Sequence, residues 1–323
     1  MRSTRFLAST IQRRGMATEA QCKFVNLLLF VSQLFYNHLC ILFCCFYIVK
    51  MRIVGTTNIA KITKSMKMVS ASKLRGDTAR LMTARSFSEW ADAVTGPSAD
   101  LEEFDPKDFG ENNLIVMTTS DKGLCGGVNS IMSRHTRNML GKLSASGKNY
   151  QLMIQGEKGR AIFRRAYGES VLMNITDRLA PYNFTLANAV AHECSQGEFD
   201  NVHVIYNAFK SAISYVPSIK CITPMLDANC EFFQSKYDME PEADPETLMN
   251  FYEYTLSTQL YHAMMENATS EQSARMAAME NASKNAADMI EKLTLQYNRA
   301  RQTRITTELI EIISGASALE KQK

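Results

Sequence analysis

The sequence predicts α/β plus long helices: N- and C-terminal helices paired as an antiparallel coiled coil, with an α/β domain between them. Three observations carry this. Between Pro245 and Gly315 roughly seventy residues run without Pro or Gly, and Ala, Leu, Met, Glu, Gln, Arg and Lys dominate them. Residues 52–95 form a second helical stretch with the same apolar spacing of three and four. The middle of the chain alternates short apolar runs with helical patterns, as α/β domains do.

The long C-terminal stretch comes first. As one helix at 1.5 Å per residue it would reach about 100 Å, too long to lie on one globule. Met276, Met279, Ala282, Ala286, Met289, Leu293, Tyr297 and Ala300 step by three or four residues. That is a narrow coiled-coil seam rather than a broad core-facing stripe. Arg301, Gln302 and Arg304 interrupt it, Ile305, Leu309, Ile310, Ile312 and Ile313 resume it, and Gly315 offers a stop. A self-associating dimer satisfies this seam as well as an intrachain partner does.

In the shorter helix, Thr56, Thr57 or Asn58 can cap, and Ile59, Ile62, Met66 and Val69 repeat at helical spacing. Lys61, Lys64, Lys67, Lys73, Arg75, Arg80 and Arg85 make it strongly basic. Such a face suits nucleic acid, an anionic membrane or an acidic protein surface, and it also suits plain solvent. Two seams of one period at opposite ends of a chain can satisfy each other by pairing antiparallel.

Between them, 96–110 reads as a linker and 111–237 as a Rossmann-like α/β domain. Leu114–Thr118, Tyr150–Ile154 and Val202–Phe209 read as strands, with Ile213–Val216 and Lys220–Thr223 as antiparallel extensions. Val128–Leu140, Gly159–Tyr167 and Phe184–Cys194 read as helices. Residues 238–245 form an acidic, Pro-containing linker. SDKGLCGG, Ser120–Gly127, sits between strand and helix, where open α/β sheets hold phosphates. It is neither GxGxxG nor followed by GK[ST], so a tight turn is the better reading. The pattern shows no Ser/His/Asp set, no paired carboxylates and no HExxH. His38, His135, His192, His203 and His262 are scattered and read as structural or solvated.

Two N-terminal segments stand apart. Residues 1–16 carry Arg2, Arg5, Arg13 and Arg14 with no acid, the composition of a mitochondrial transit peptide or of a basic tail. Residues 22–50 form an anomalous apolar insert around FVNLLLFVSQLFYNHLCILFCCFYIV. By length and apolarity this qualifies as a membrane span, although Asn26, Gln33, Asn37 and His38 recur in it. His38 with Cys40, Cys44 and Cys45 matches no zinc spacing. Such a composition also arises from translated T-rich non-coding DNA, so a retained intron or a gene-model error is expected; a spliced message encoding these residues would exclude it. The 8 Cys of the chain, without a CxxC pair, read as free thiols, and a net charge of +3 argues for no nucleic-acid partner.

IAKITKSMKMVSASKLRG (Ile59–Gly76), SDKGLCGG (Ser120–Gly127), SEQSARMAAMENASKNAADMI and YNRARQTRITTELIEIISGASAL resemble, in order, the γ subunits of F-type ATP synthases. The likeness covers about Asn58 to Leu319. It implies a mitochondrial inner-membrane protein, peripheral on the matrix side, without cofactor, metal or bond chemistry. It implies a central-stalk rotor: an antiparallel shaft (helices 52–95 and 245–319) inside a ring of α and β subunits, with the α/β domain against the δ/ε subunits and the c-ring. By motif position Met66, Arg301, Gln302, Thr306 and Glu308 are the partner-contact residues, and Ile310, Ile312 and Ile313 the shaft tip. Residues 22–50 depart from the family, whose short helix begins with a charged amphipathic segment. Two alternatives remain open: a coiled-coil scaffold anchored by residues 24–49, and an α/β enzyme binding a nucleotide at Ser120–Gly127.

Overall fold

A computed structural model describes residues 19–101, 109–224 and 245–320, with side chains for 46–101, 109–224 and 246–317. The segment 1–16 expected as a transit peptide, most of the apolar insert, and 225–244 at the expected end of the α/β domain lie outside the described residues or side chains. The chain divides into two compact units, one of residues 62–282 and the other of 1–61 with 283–323, and each is described by itself.

In the larger unit the sheet has six strands in the order β1-β6-β5-β2-β3-β4. These are β1 (Ala99–Asp100), β2 (Asn112–Thr118), β3 (Asn149–Gln155), β4 (Val171–Ile175), β5 (Asn201–Phe209) and β6 (Tyr215–Ile222). β2 lies parallel to β3 and β5, and β3 to β4, while β6 is antiparallel to β5 and β1. Parallel strands need crossovers, and the helices Val128–Ala145 (α2), Glu157–Tyr167 (α3) and Phe184–Ser195 (α4) supply them. Because both faces are covered, β2 reads LIVMT without alternation and is buried from Asn113 onward. One face packs Ile115, Met117 and Ile154 under α2 and α3. On the other face, Leu114, Val116 and Met153 meet α4 and a stretch of the C-terminal helix from Tyr252 to Met264.

Two elements escaped the sequence reading. β4 is a five-residue run that pairs only with β3, and β1 falls inside the presumed linker. The two expected antiparallel extensions are one strand, β6, which contains Pro217. Pro217 sits opposite Asn207, and its carbonyl accepts from the Leu101 amide just where β1 ends, so its missing N–H faces that short edge strand and takes no bond from β5.

The terminal helices are α1 (Glu19–Thr95) and α5 (Pro245–Glu320), longer than 52–95 and 245–319. Thr56 and Thr57, expected as caps, are mid-helix; each hydroxyl donates 2.8 Å to the carbonyl four residues back, those of Arg52 and Ile53. α5 continues past Gly315, where a glycine costs about 1 kcal/mol relative to Ala and breaks nothing.

Burial along these helices is periodic. In the larger unit Thr63, Lys67, Ser70, Leu74, Asp77, Leu81, Ala84, Ser88 and Ala91 turn inward at alternating steps of four and three. The expected seam through Ile62, Met66 and Val69 is one residue out of register, and Ile62 and Val69 are exposed. Small Thr, Ser and Ala side chains occupy the true seam, which lets backbones approach but hides it from a search for apolar residues. Facing pairs run in opposite senses: Lys67 meets Glu280, Leu81 packs with Met265, Arg85 meets Glu266 and Trp90 stacks on Tyr254.

In the smaller unit the inward positions are Phe46, Val49, Ile53, Thr56 and Ala60, and Ser283, Ala286, Ile290, Leu293, Tyr297, Ala300, Arg304 and Thr307. Met289, expected in the seam, is exposed, and its neighbour Ile290 takes the place. Phe46 stacks on Tyr297 with centroids 4.6 Å apart, and Arg304 lies over the same ring at 5.8 Å.

Candidate functional site

The glycine-rich loop that follows β2 is the position where an open α/β sheet would take a phosphate. Here it is occupied by the protein itself. Asn129 accepts from the Ser120 amide through Oδ1 (3.1 Å) and donates through Nδ2 to Ser120 Oγ (2.6 Å) and Cys125 Sγ (3.2 Å). Gly126 adopts φ +62, and a Cβ there would touch Ala278 and the Ala274 carbonyl of α5. The carbonyls of Lys122 and Gly123 accept from Arg275, also on α5. Phosphate recognition needs converging amides, and this loop instead aims carbonyls at a guanidinium.

Beside it Arg178 is buried, donating to Gln155 Oε1 (2.9 Å) and the Thr119 carbonyl (2.6 Å) and stacking on Tyr182. Asp121 accepts from the Glu157 and Arg178 amides. Glu271 pairs with Arg275; burial pushes its carboxyl above the usual range, and Arg275 and Arg178 offset part of that. The loop is therefore a fastening for α5.

A second constellation joins α1, α5 and the β5–β6 hairpin. Glu266 Oε1 accepts from Arg85 Nε at 2.7 Å and stands 3.2 Å from His262 Nε2; Oε2 accepts from the Phe209 amide at 2.6 Å. Arg85 also donates to the Phe209 carbonyl at 2.6 Å. Burial alone would raise the Glu266 pKa, but the bonds from His262, Arg85 and Phe209 together hold it below the usual range.

One heptad along α1, Asp92 Oδ1 accepts from Lys220 of β6 at 2.6 Å and from Gln259 of α5 at 3.0 Å. Lys220 is buried and also donates to the Gly96 carbonyl just past the end of α1. Burial lowers its pKa, and Asp92 restores part. A surface cleft of about 420 Å³ lies over this region, bordered by Arg85, Asp92, His262 and Glu266. On its other flank α1 is held by rings: Phe87 packs edge-on against Phe184 and Tyr261, and Trp90 stacks on Tyr254 at 5.3 Å. Sequence reasoning found none of these links. The one available signal was a lysine at an inward position of a strand.

The residues expected to touch partners stand on helix surfaces. Met66 is half-buried, and Arg301, Gln302, Thr306 and Glu308 are exposed. Thr306 Oγ1 donates to the Gln302 carbonyl, and Glu308 pairs with Arg304 at 2.8 Å. Ile305, Leu309, Ile310, Ile312 and Ile313 are 49–68% exposed, an apolar run with no cover in the described chain. Ile59, Ile62, Met68 and Val69 form a like stripe on α1. Among the described residues no group of His, Cys, Asp and Glu is arranged to hold a metal, and no helix is long and apolar enough to cross a membrane. Cys125 and Cys194 are buried and Cys221 exposed, none of them in a disulfide; burial, with Glu193 nearby, pushes Cys194 to about 12.

An α/β domain fastened at several points to two long helices that also carry uncovered apolar stripes defines a stalk-type subunit rather than a self-contained globule. The comparisons agree. A family model described as ATP synthase matches residues 47–319. The mitochondrial ATP synthase F(1) complex subunit gamma of Rattus norvegicus is 42% identical over 275 residues, covering 83% of this chain and 97% of that one. The mitochondrial ATP synthase subunit gamma of Ipomoea batatas is 39% identical over 285 residues, covering 84% and 85%. The Tetrahymena thermophila mitochondrial ATP synthase central stalk/c-ring structure contains a chain 34% identical, with a TM-score of 0.55, covering 69% of this chain and 99% of that one. A chain of the Euglena gracilis mitochondrial ATP synthase shares the fold at a TM-score of 0.72 and 21% identity, covering 85% and 94%. The chain belongs to the ATP synthase γ-subunit family.

Proposed function

We propose that this γ-family chain works as the central-stalk rotor of a mitochondrial F-type ATP synthase, peripheral to the inner membrane on its matrix side. α1 and α5 wind together as an antiparallel coiled-coil shaft inside a ring of α and β subunits. The α/β domain is the foot, against the small δ/ε subunits and the c-ring. Rotation of the foot presents a changing shaft face to the catalytic β subunits, and no bond chemistry takes place in this chain. The observation that carries this is the alternating three-and-four burial on both terminal helices, with apolar stripes left uncovered outside it.

A rotor needs two kinds of surface. The tip (Ile310, Ile312, Ile313) must turn in an apolar collar without directional bonds. Met66, Arg301, Gln302, Thr306 and Glu308 must make and release polar contacts, and exposed charge pairs contribute only about 0.2–1 kcal/mol each, weak enough to exchange.

Copurification tests this reading: the chain should be recovered with α and β subunits in a fixed ratio, and recovery as a free homodimer contradicts it. Met66→Lys should leave ATP hydrolysis in place and reduce ATP-driven proton pumping in vesicles, because an added ammonium would hold one β conformation too tightly. Unchanged coupling in that variant removes Met66 from the contact set.

A further inference from the structure

We propose that the Arg85–Glu266 and Asp92–Lys220 nodes form a double pin, by which α1, α5 and the β5–β6 hairpin turn as one body. Arg85, Glu266, Asp92 and Lys220 are then positioning residues that carry torque from foot to shaft. The inference rests on the rotor reading above.

Each node ties the same three elements. The first joins Arg85 of α1, Glu266 of α5 and both backbone groups of Phe209 at the end of β5. The second joins Asp92 of α1, Gln259 of α5 and Lys220 of β6. From one to the other α1 advances seven residues and α5 retreats seven, as antiparallel neighbours must. Seven residues are two helical turns, about 10.5 Å of axis.

That spacing matters mechanically. A helix held to a sheet at one point can pivot about it; held at two, it cannot pivot without breaking one. Apolar contacts such as Leu81 on Met265 are non-directional and tolerate sliding. Hydrogen bonds weaken steeply when misaligned, so they resist a twist that grease would absorb. Both nodes also bury one charged partner: the Glu266 side chain is 4% exposed and that of Lys220 2%. Slippage would leave that charge without its partner in a place water reaches poorly. Lys220 further grips the Gly96 carbonyl, fixing the end of α1.

The test uses the assembled complex in vesicles, reading ATP hydrolysis and ATP-driven proton pumping together with melting temperature. Arg85→Met and Lys220→Met keep the buried stems and remove the cations. Each single variant should lower the pumping-to-hydrolysis ratio less than about twofold, and the double variant by about fivefold or more, beyond the product of the singles. A double variant with lowered melting temperature and an unchanged ratio overturns the proposal, because the pins then only stabilise. If the double variant does not assemble, Arg85→Lys with Lys220→Arg decides, since it keeps charge and changes geometry: a lowered ratio supports the pins and an unchanged one overturns them. Absent coupling with the unmodified chain would instead sink the rotor reading itself.

Discussion

The same two residue types meet in two regions of this molecule, with different results. Arg85 reaches Glu266 across 181 positions of sequence, and a backbone amide and a histidine complete the carboxylate. Arg304 reaches Glu308 one turn along its own helix, with both side chains 41% or more exposed. The first pair locks three elements; the second runs along one helix, although its arginine also lies over the Phe46 ring of α1. Around the first the aliphatic residues are covered, as Leu81 is, and around the second they are bare, as Ile305 and Leu309 are. On the rotor reading proposed above, one region is held and the other is touched and released. A single chain needs both if it is to accept torque at one place and deliver it at another.

Substitutions that separate the two regions should differ in scale. The largest effect is expected at Gly156, whose φ of +106 few side chains adopt, and where a Cβ would come within 2.5 Å of the Thr119 carbonyl. Gly156→Ala should cost about 4 kcal/mol, combining backbone strain with overpacking, measured by denaturant unfolding. Next comes Leu81→Ala, which empties the contact of α1 with Met265 and should cost about 3 kcal/mol in the same assay.

A pH-dependent effect, absent at neutral pH and growing as pH falls, belongs to His203. Burial first, and Lys148 second, lower its pKa from 6.5 to about 3, beneath the stacked ring of Phe109. The folded state keeps it neutral while the unfolded chain protonates it. Its contribution is therefore fully present above the unfolded pKa and is lost as pH falls from 6.5 toward 3. The slope should approach about 1.4 kcal/mol per pH unit in that window. His203→Leu should flatten that part of the stability profile; an unchanged profile removes His203 as its source.

The smallest effect is expected in the exposed region. Glu308→Gln should change stability by about 0.5 kcal/mol or less, since it removes one exposed i,i+4 pair and leaves Arg304 over the Phe46 ring. A loss comparable to that of Leu81→Ala would mean that the region is held after all.

How much of this was legible beforehand follows the same division. The long helices, the parallel strands and the strand-to-helix loop at Ser120–Gly127 announce themselves locally, through helix formers, continuous apolar runs and glycines. The helix seam does not. Its inward positions carry Thr63, Ser70 and Ala84, small enough for close approach, whereas Ile59, Ile62 and Val69 one residue earlier catch the eye. A pattern search follows the apolar stripe, and on a helix whose apolar stripe is exposed it settles one residue off. Thr56 reads as a cap because its hydroxyl can accept at the start of a helix or donate back to a carbonyl within one, and only the residues before it decide which. The Arg85–Glu266 and Asp92–Lys220 nodes are formed by tertiary closure between distant segments, so no local spacing encodes them. β1 exists only because β6 offers an edge, and two residues have no pattern to read. The apolar stripe at Ile310, Ile312 and Ile313 was legible for the opposite reason: nothing in the described chain covers it, so its sequence keeps the signature of a surface meant for something else.

Rotation is the most direct test. With the catalytic ring of the assembled complex fixed to a support and a visible probe attached to the α/β domain of this chain, ATP should drive the probe round in one direction in steps. A probe that stays still while coupled complexes hydrolyse ATP would contradict the account.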